Sequence, residues 1–197
     1  MNIKFCVILL FSLIFIQCNS TERKKTEKVD QSFFRIPVKF PDGGYYNLAQ
    51  AEKSTAAVFI FMSPECPVCQ SYSLTINNLI KKYVGNTVMF YGIFPGTYYS
   101  NEKINYFLKE YSLNFTPLCD PEFKITKSLN AKVTPEAFVM KPNGEILYHG
   151  LIDDWYYAVG KKRSIITKNY LQDILDSIVH EKPTNIQNTE AIGCIIE

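Results

Sequence analysis

Ala56-Ala57-Val58-Phe59-Ile60-Phe61-Met62-Ser63-Pro64-Glu65-Cys66-Pro67-Val68-Cys69 is the stretch from which the fold can be read. Its first seven residues form an unbroken apolar run. Such a run suits a central strand that is covered on both faces, where alternation of polar and apolar residues is lost. Ser63-Pro64-Glu65 interrupts it. From Pro67 to about Tyr83 the apolar positions Val68, Tyr72, Ile76, Leu79, Ile80 and Tyr83 recur on one helical face. Gly85 offers a C-terminal stop. A buried strand therefore runs into a helix, and two cysteines sit at the junction.

That context gives the cysteines chemistry. Cys66 falls at the helix N-terminus, where unpaired N–H groups and the helix dipole favour an anion. A thiolate held there has its pKa drawn below ~8.5. Pro67 suits the first helical position, where its missing N–H costs nothing. Cys69, one turn on, can close a disulfide onto Cys66 and release a captured substrate. The expected roles are Cys66 as attacking nucleophile and Cys69 as resolving thiol. Glu65 works the other way, since a nearby negative charge disfavours a thiolate.

The rest of the chain extends the pattern. Phe33 to Pro41, the turn Asp42-Gly43-Gly44 and Tyr45 to Leu48 read as a hairpin. Thr87 to Phe94 reads as a second buried strand, and Asn101 to Tyr111 as a helix. Phe115 to Leu118 is a short strand. Asp120-Pro121-Glu122 starts a helix that runs to about Leu129. Ala137 to Met140 and Glu145 to His149 flank the turn Lys141-Pro142-Asn143-Gly144 as a hairpin. Ile152 to Arg163 reads as irregular, and Thr167 to His180 as a final helix. The alternation of strands and helices implies a parallel-containing sheet covered on both faces.

At this point the chain resembles the thioredoxin superfamily, in particular the bacterial redoxin-type thiol–disulfide oxidoreductases. The resemblance spans Phe33 to Val179. It rests on Phe59 to Cys69, on Asp120-Pro121-Glu122, and on Val133-Thr134-Pro135-Glu136-Ala137-Phe138-Val139. It implies an α/β thioredoxin fold: a central mixed β-sheet flanked by helices, an N-terminal β-hairpin and a redoxin-type strand–helix insert at Phe115 to Leu129. It also implies a cis Pro135 lying against the cysteine pair, with the preceding backbone at Thr134 free to pair with an incoming peptide strand. Usual thioredoxin has Trp-Cys-Gly-Pro-Cys; here Glu65, Pro67 and Val68 stand at the variable positions. The ending Gly193-Cys194-Ile195-Ile196 looks like one seen in some envelope redoxins. Implied partners are protein or small-molecule thiol and disulfide substrates, and a redox partner that resets the cysteine pair. No organic cofactor is implied.

The six cysteines are Cys6, Cys18, Cys66, Cys69, Cys119 and Cys194. Asn2 and Lys4 precede an almost wholly apolar block from Phe5 to Ile16. Twelve helical residues cover ~18 Å, short of a ~30 Å hydrocarbon core, so the block reads as an export signal. Ile16-Gln17-Cys18-Asn19 resembles a bacterial lipobox, with Gln17 where that pattern has a small residue, and this implies lipidation of Cys18. Asn19 to Gln31 is polar, as in a flexible spacer. Together these imply a lipoprotein anchored to a membrane and facing the periplasm or outside, with a soluble periplasmic protein as the alternative. The domains expected are a signal peptide (1–17), a flexible tether (18–32), a thioredoxin-like domain (33–182) and a tail (183–197) carrying Cys194.

Several readings stay open. A lone Cys-X-X-Cys can be half of a zinc site, but no second such pair and no HxxxH accompanies it. No metal is therefore assigned, and a copper- or zinc-handling protein using Cys66, Cys69 and Cys194 remains an alternative. So does an inactive scaffold. A peroxiredoxin-like thiol peroxidase would call for a Pro, a Thr and an Arg around Cys66; Ser63 and Phe59 stand at two of those places. Cys119 reads as a small buried residue or an accessory thiol. Cys194 lies in a tail whose residues beyond Pro183 span at most ~40 Å, long enough to pair with Cys119, resolve Cys66, bind metal or stay free. His149 and His180 read as structural. The formal net charge of +2 gives no argument for nucleic acid.

Overall fold

The computed structural model describes residues 27–197 apart from positions 86 and 184. The expected signal peptide, Cys18 and most of the expected tether lie outside the described residues. Among the described residues, no helix is long and apolar enough to cross a membrane.

Seven strands form one sheet: β1 (Pro37–Lys39), β2 (Tyr45–Asn47), β3 (Ala56–Phe61), β4 (Val88–Pro95), β5 (Thr116–Asp120), β7 (Glu136–Met140) and β8 (Ile146–Gly150). Their order is β2-β1-β5-β4-β3-β7-β8. The core β5-β4-β3 is parallel, while β7 joins β3 antiparallel and β1 joins β5 antiparallel. This is the mixed sheet expected, with the N-terminal hairpin β1–β2 at one edge.

Every residue of β3 is buried. Its side chains alternate between two cores, as period-2 geometry requires. Val58 and Ile60 face a core with Tyr72, Ile76 and Leu79 of α1 (Pro67–Tyr83), Ile104 and Phe107 of α2 (Asn101–Glu110), and Leu171, Ile174 and Leu175 of α4 (Tyr170–Val179). Ala57, Phe59 and Phe61 face a second core with Phe33, Phe34 and Leu48 from the N-terminal turns, and Ile125 and Leu129 of α3 (Lys124–Leu129). Burial on both faces is the physical reason for the unbroken apolar run.

Besides the tail, four segments depart from the expectation. α3 begins at Lys124, because Phe123 takes a left-handed φ of 57° and Pro121–Phe123 form a turn. Asp120 still caps α3 from a distance: its carboxylate accepts from the Ile125 and Thr126 amides and the Thr126 hydroxyl. The span expected to be irregular holds a small antiparallel pair, β9 (Tyr156–Ala158) with β10 (Lys161–Lys162). α4 starts three residues late because the Thr167 and Lys168 amides are taken by Asp154. Finally, the packed chain begins before residue 33: Val29 donates to the Gly144 carbonyl, and Ile146 to that of Glu27.

The tail is the largest difference. Its course was left open by the sequence, yet it ends in β11 (Cys194–Ile195), which pairs antiparallel with β6 (Val133–Thr134). Pairing satisfies backbone groups that would otherwise face water at an open strand edge.

Candidate functional site

The junction of β3 and α1 places the nucleophile. Cys66 is the N-cap of α1, with Pro67 at the first helical position. Its own amide donates to the Ser63 carbonyl, and its carbonyl accepts from the Gln70 amide at 3.1 Å. Opposite lies the loop before β7. The Thr134–Pro135 peptide bond is cis, as the resemblance implied. The Cys66 Sγ lies 3.1 Å from the Thr134 carbonyl oxygen.

Cys66 is bonded to Cys194, with their Cα atoms 6.0 Å apart. The expected partner, Cys69, keeps a free thiol. Of the fates left open for Cys194, the structure shows the bond to Cys66. The reason is positional: β11 lays Cys194 directly opposite Thr134, the residue that the Cys66 sulfur faces. In this state Cys66 is 1% exposed and Cys69 0%. Burial pushes the Cys69 thiol up to about 12, although the Ser63 backbone N–H and the Thr134 hydroxyl pull in the other direction. At neutral pH it is protonated, so it can resolve a bond at Cys66 only once it has lost that proton.

Glu65 does not act on the sulfur as a lone charge. Its carboxylate pairs with the Lys103 ammonium from α2, and that ammonium also lies over the Tyr99 ring at 5.4 Å. Lys103 was not found from the sequence, because only the packing of α2 beside the β3–α1 junction brings it there. Val68 is buried in the core, whereas Pro67 is exposed. A cavity of about 250 Å³ opens between Met62, Ser63, Glu65, Tyr98 and Tyr99 on one side and the tail from Cys194 to Glu197 on the other.

Cys119 is apart from this group. It stands half-buried on β5, with its sulfur 4.0 Å from the Asn101 side chain, and burial raises its pKa. His149 stacks on Phe138 with ring centroids 5.3 Å apart. His180 ends α4, its ring nitrogen 2.7 Å from the Asp176 carbonyl. Among the described residues no group of three His, Cys, Asp or Glu side chains is placed to hold a metal ion. The two described arginines are engaged elsewhere, Arg35 with Glu52 and Arg163 with Asp154. Ser63 directs its hydroxyl to Tyr99, and Phe59 lies in the core.

A mixed sheet flanked by helices, with a cysteine at the β3–α1 junction facing a cis-proline loop, defines a thioredoxin-like α/β protein. Residues 29–149, well over half the chain, match the AhpC/TSA family, and the chain belongs to it. The chemistry of that family is thiol-based redox. No curated relative matches the chain. Among solved structures, a hypothetical protein from Sinorhizobium meliloti aligns at 22% identity with a TM-score of 0.75, covering 87% of this chain and 92% of the other. A secreted Mycobacterium tuberculosis disulfide oxidoreductase, homologous to E. coli DsbE, aligns at 19% identity and TM-score 0.55, covering 77% and 99%. A peroxiredoxin Q of Xanthomonas campestris aligns at 15% and 0.52, covering 62% and 83%. These likenesses carry the fold.

Proposed function

We propose that this redoxin is a protein thiol–disulfide oxidoreductase in which Cys66 forms the mixed disulfide and Cys69 resolves it. The observation that carries this reading is the seat of Cys66. It caps a helix, faces the Thr134 carbonyl, and is already joined to a cysteine held on a paired strand. A mixed disulfide with a peptide needs the same three things: a thiolate stabilised before attack, a docking edge, and a sulfur within reach. The Glu65–Lys103 pair removes most of the charge that would oppose the thiolate.

In the reducing direction, the Cys66 thiolate attacks one sulfur of a substrate disulfide. The substrate's S–S bond breaks, a Cys66–substrate bond forms, and the other substrate sulfur leaves as a thiolate. A second thiol of this chain then attacks Cys66 and releases the substrate reduced. The chain ends oxidised by two electrons and needs a reducing partner to reset it. The same steps reversed oxidise a substrate dithiol, and the reduction potential decides which direction runs.

The test is insulin reduction by the dithiothreitol-treated protein, followed by turbidity. Wild type is expected to accelerate precipitation and Cys66→Ser to lose that acceleration. Retention of the full rate by Cys66→Ser ends the assignment. The export signal and lipobox-like segment extend the proposal to a membrane-anchored protein of the cell envelope. Incorporation of labelled palmitate that disappears in Cys18→Ser is the expected result there.

A further inference from the structure

The tail occupies a prepared course. The Asn188 side chain accepts from the His149 amide at 3.1 Å, and the Thr189 amide donates to the His149 carbonyl at 3.1 Å. The Thr189 hydroxyl accepts from the Leu151 amide at 2.8 Å and shares a hydrogen bond with the Tyr148 hydroxyl. Gly150 permits this crossing, since a Cβ there would overlap the Thr189 backbone and side chain. Beyond this latch, Cys194 and Ile195 pair with Thr134 and Val133, and the Ile196 amide reaches the Lys132 carbonyl at 2.9 Å. Gly193 passes directly over the cis-proline loop. A Cβ on it would overlap the Thr134 carbonyl oxygen, lie 2.6 Å from its carbon and 3.1 Å from the Pro135 nitrogen. All three atoms are backbone, so nothing can swing aside.

We infer that residues 193–196 are a tethered stand-in for the substrate, and that the site selects an extended polypeptide whose reactive cysteine directly follows a glycine. The inference deepens the oxidoreductase reading and rests on it. Each position of the bound strand has a physical requirement. Glycine is preferred before the cysteine because the Thr134 carbonyl fills the space of a side chain. The residue after it is unselected, as Ile195 is 78% exposed. The next is apolar, since Ile196 is partly buried against the second core, which includes Ile125, Leu129 and Ala131. Backbone pairing to Val133–Thr134 supplies the remaining affinity without reading side chains.

The tail also covers the site. Release needs no outside oxidant or reductant. Cys69 loses its proton to solvent and attacks the Cys66 sulfur; the Cys66–Cys194 bond breaks, a Cys66–Cys69 bond forms, and Cys194 leaves as a thiolate that takes up a proton. One thiol and one disulfide exchange partners, and the oxidation state of the chain is unchanged. The latch at Asn188–Thr189 keeps Cys194 close, at an effective concentration a free substrate must exceed.

The test uses the full chain with Cys69→Ser and Cys194→Ser, reduced, against synthetic Ala-Ile-Gly-Cys-Ile-Ile-Glu carrying thionitrobenzoate on its cysteine. Release of thionitrobenzoate and the mass of the Cys66 adduct are followed. The glycine peptide is expected to react at least ~ten-fold faster than its Gly→Ala analogue, and an Asp in place of the second isoleucine to slow it too. Equal rates for the glycine and alanine peptides overturn the inference. In the otherwise unaltered chain, Gly193→Ala is expected to lower the Cys66–Cys194 disulfide at least ~ten-fold at a fixed glutathione ratio; an unchanged proportion overturns the inference as well. A separate control isolates the parent reading. If the small disulfide dithiobis(nitrobenzoate) reacts with this double variant no faster than when Cys66 is also replaced by Ser, the oxidoreductase assignment itself fails.

Discussion

Cys66 is bonded to Cys194 across the β6 strand edge, while Cys69, one helical turn further along α1, keeps its thiol buried behind it. Three sulfurs thus share one site, and under the proposed exchange the free one would displace whatever Cys66 has captured. Replacing Cys69 by Ser removes that displacement. With Cys194 also replaced, covalent adducts between Cys66 and substrate proteins are expected to accumulate. Non-reducing electrophoresis after acid quenching checks this; the same adduct level with Cys69 present would show that Cys69 does not resolve them.

The Cys69 thiol gives a pH prediction. Its pKa is pushed from 9.0 to about 12 by burial. At pH 7 its thiolate population is therefore roughly a thousandfold below that of an exposed thiol. In the form with Cys66–Cys194 closed, iodoacetamide is expected to label half-buried Cys119 well before Cys69. The rate at Cys69 should climb about ten-fold per pH unit toward pH 12. Between 9 and 12 the unfolded chain ionises this thiol and the folded chain does not, so its effect on stability is neutral below 9 and unfavourable as pH rises through that window. Peptide mapping of alkylated samples reads the first part, and alkaline denaturation the second.

Asp120 closes the end of β5 onto α3. It is 2% exposed, and its two oxygens accept three hydrogen bonds from Ile125 and Thr126. Asp120→Ala leaves those donors buried without partners. The expected cost is about 2–4 kcal/mol, seen as a lower urea midpoint with an unchanged slope. Asp120→Asn, which keeps one acceptor, should lose less.

Asp154 predicts behaviour in acid. Burial opposes its charge. The Thr167 hydroxyl, the Thr167 and Lys168 amides and the Arg163 guanidinium outweigh that and bring its pKa from 3.8 down to about 2. Its folded-state value is below the unfolded one, so its stabilising contribution is full above 3.8 and disappears as pH falls through about 2. The difference in Tm between wild type and Asp154→Asn should be constant near neutrality and shrink toward zero by pH 2. A constant gap over the whole range would show that the carboxylate charge is not what holds residues 163–168.

The sequence by itself determined the sheet-and-helix order, the two-sided burial of β3, the extent of α1 and the seat of Cys66 at its N-terminus. These are matters of period, punctuation and capping, which act over a few residues and are written locally. The Thr134–Pro135 bond was legible through the resemblance, because its motif is contiguous. The start of α3 was misplaced: Asp120-Pro121-Glu122 carries the signs of a cap followed by a first turn, but the left-handed Phe123 moves the helix to Lys124 while Asp120 reaches over it. Only the tertiary structure decided which thiol joins Cys66. Cys194 is 128 residues away in sequence. Its place depends on a glycine that can cross a backbone carbonyl, a latch at Thr189, and an open strand edge at Val133–Thr134. Lys103 reaches Glu65 for the same kind of reason. Contacts of that sort arise from surfaces that exist only after the sheet has formed, and no local pattern records them.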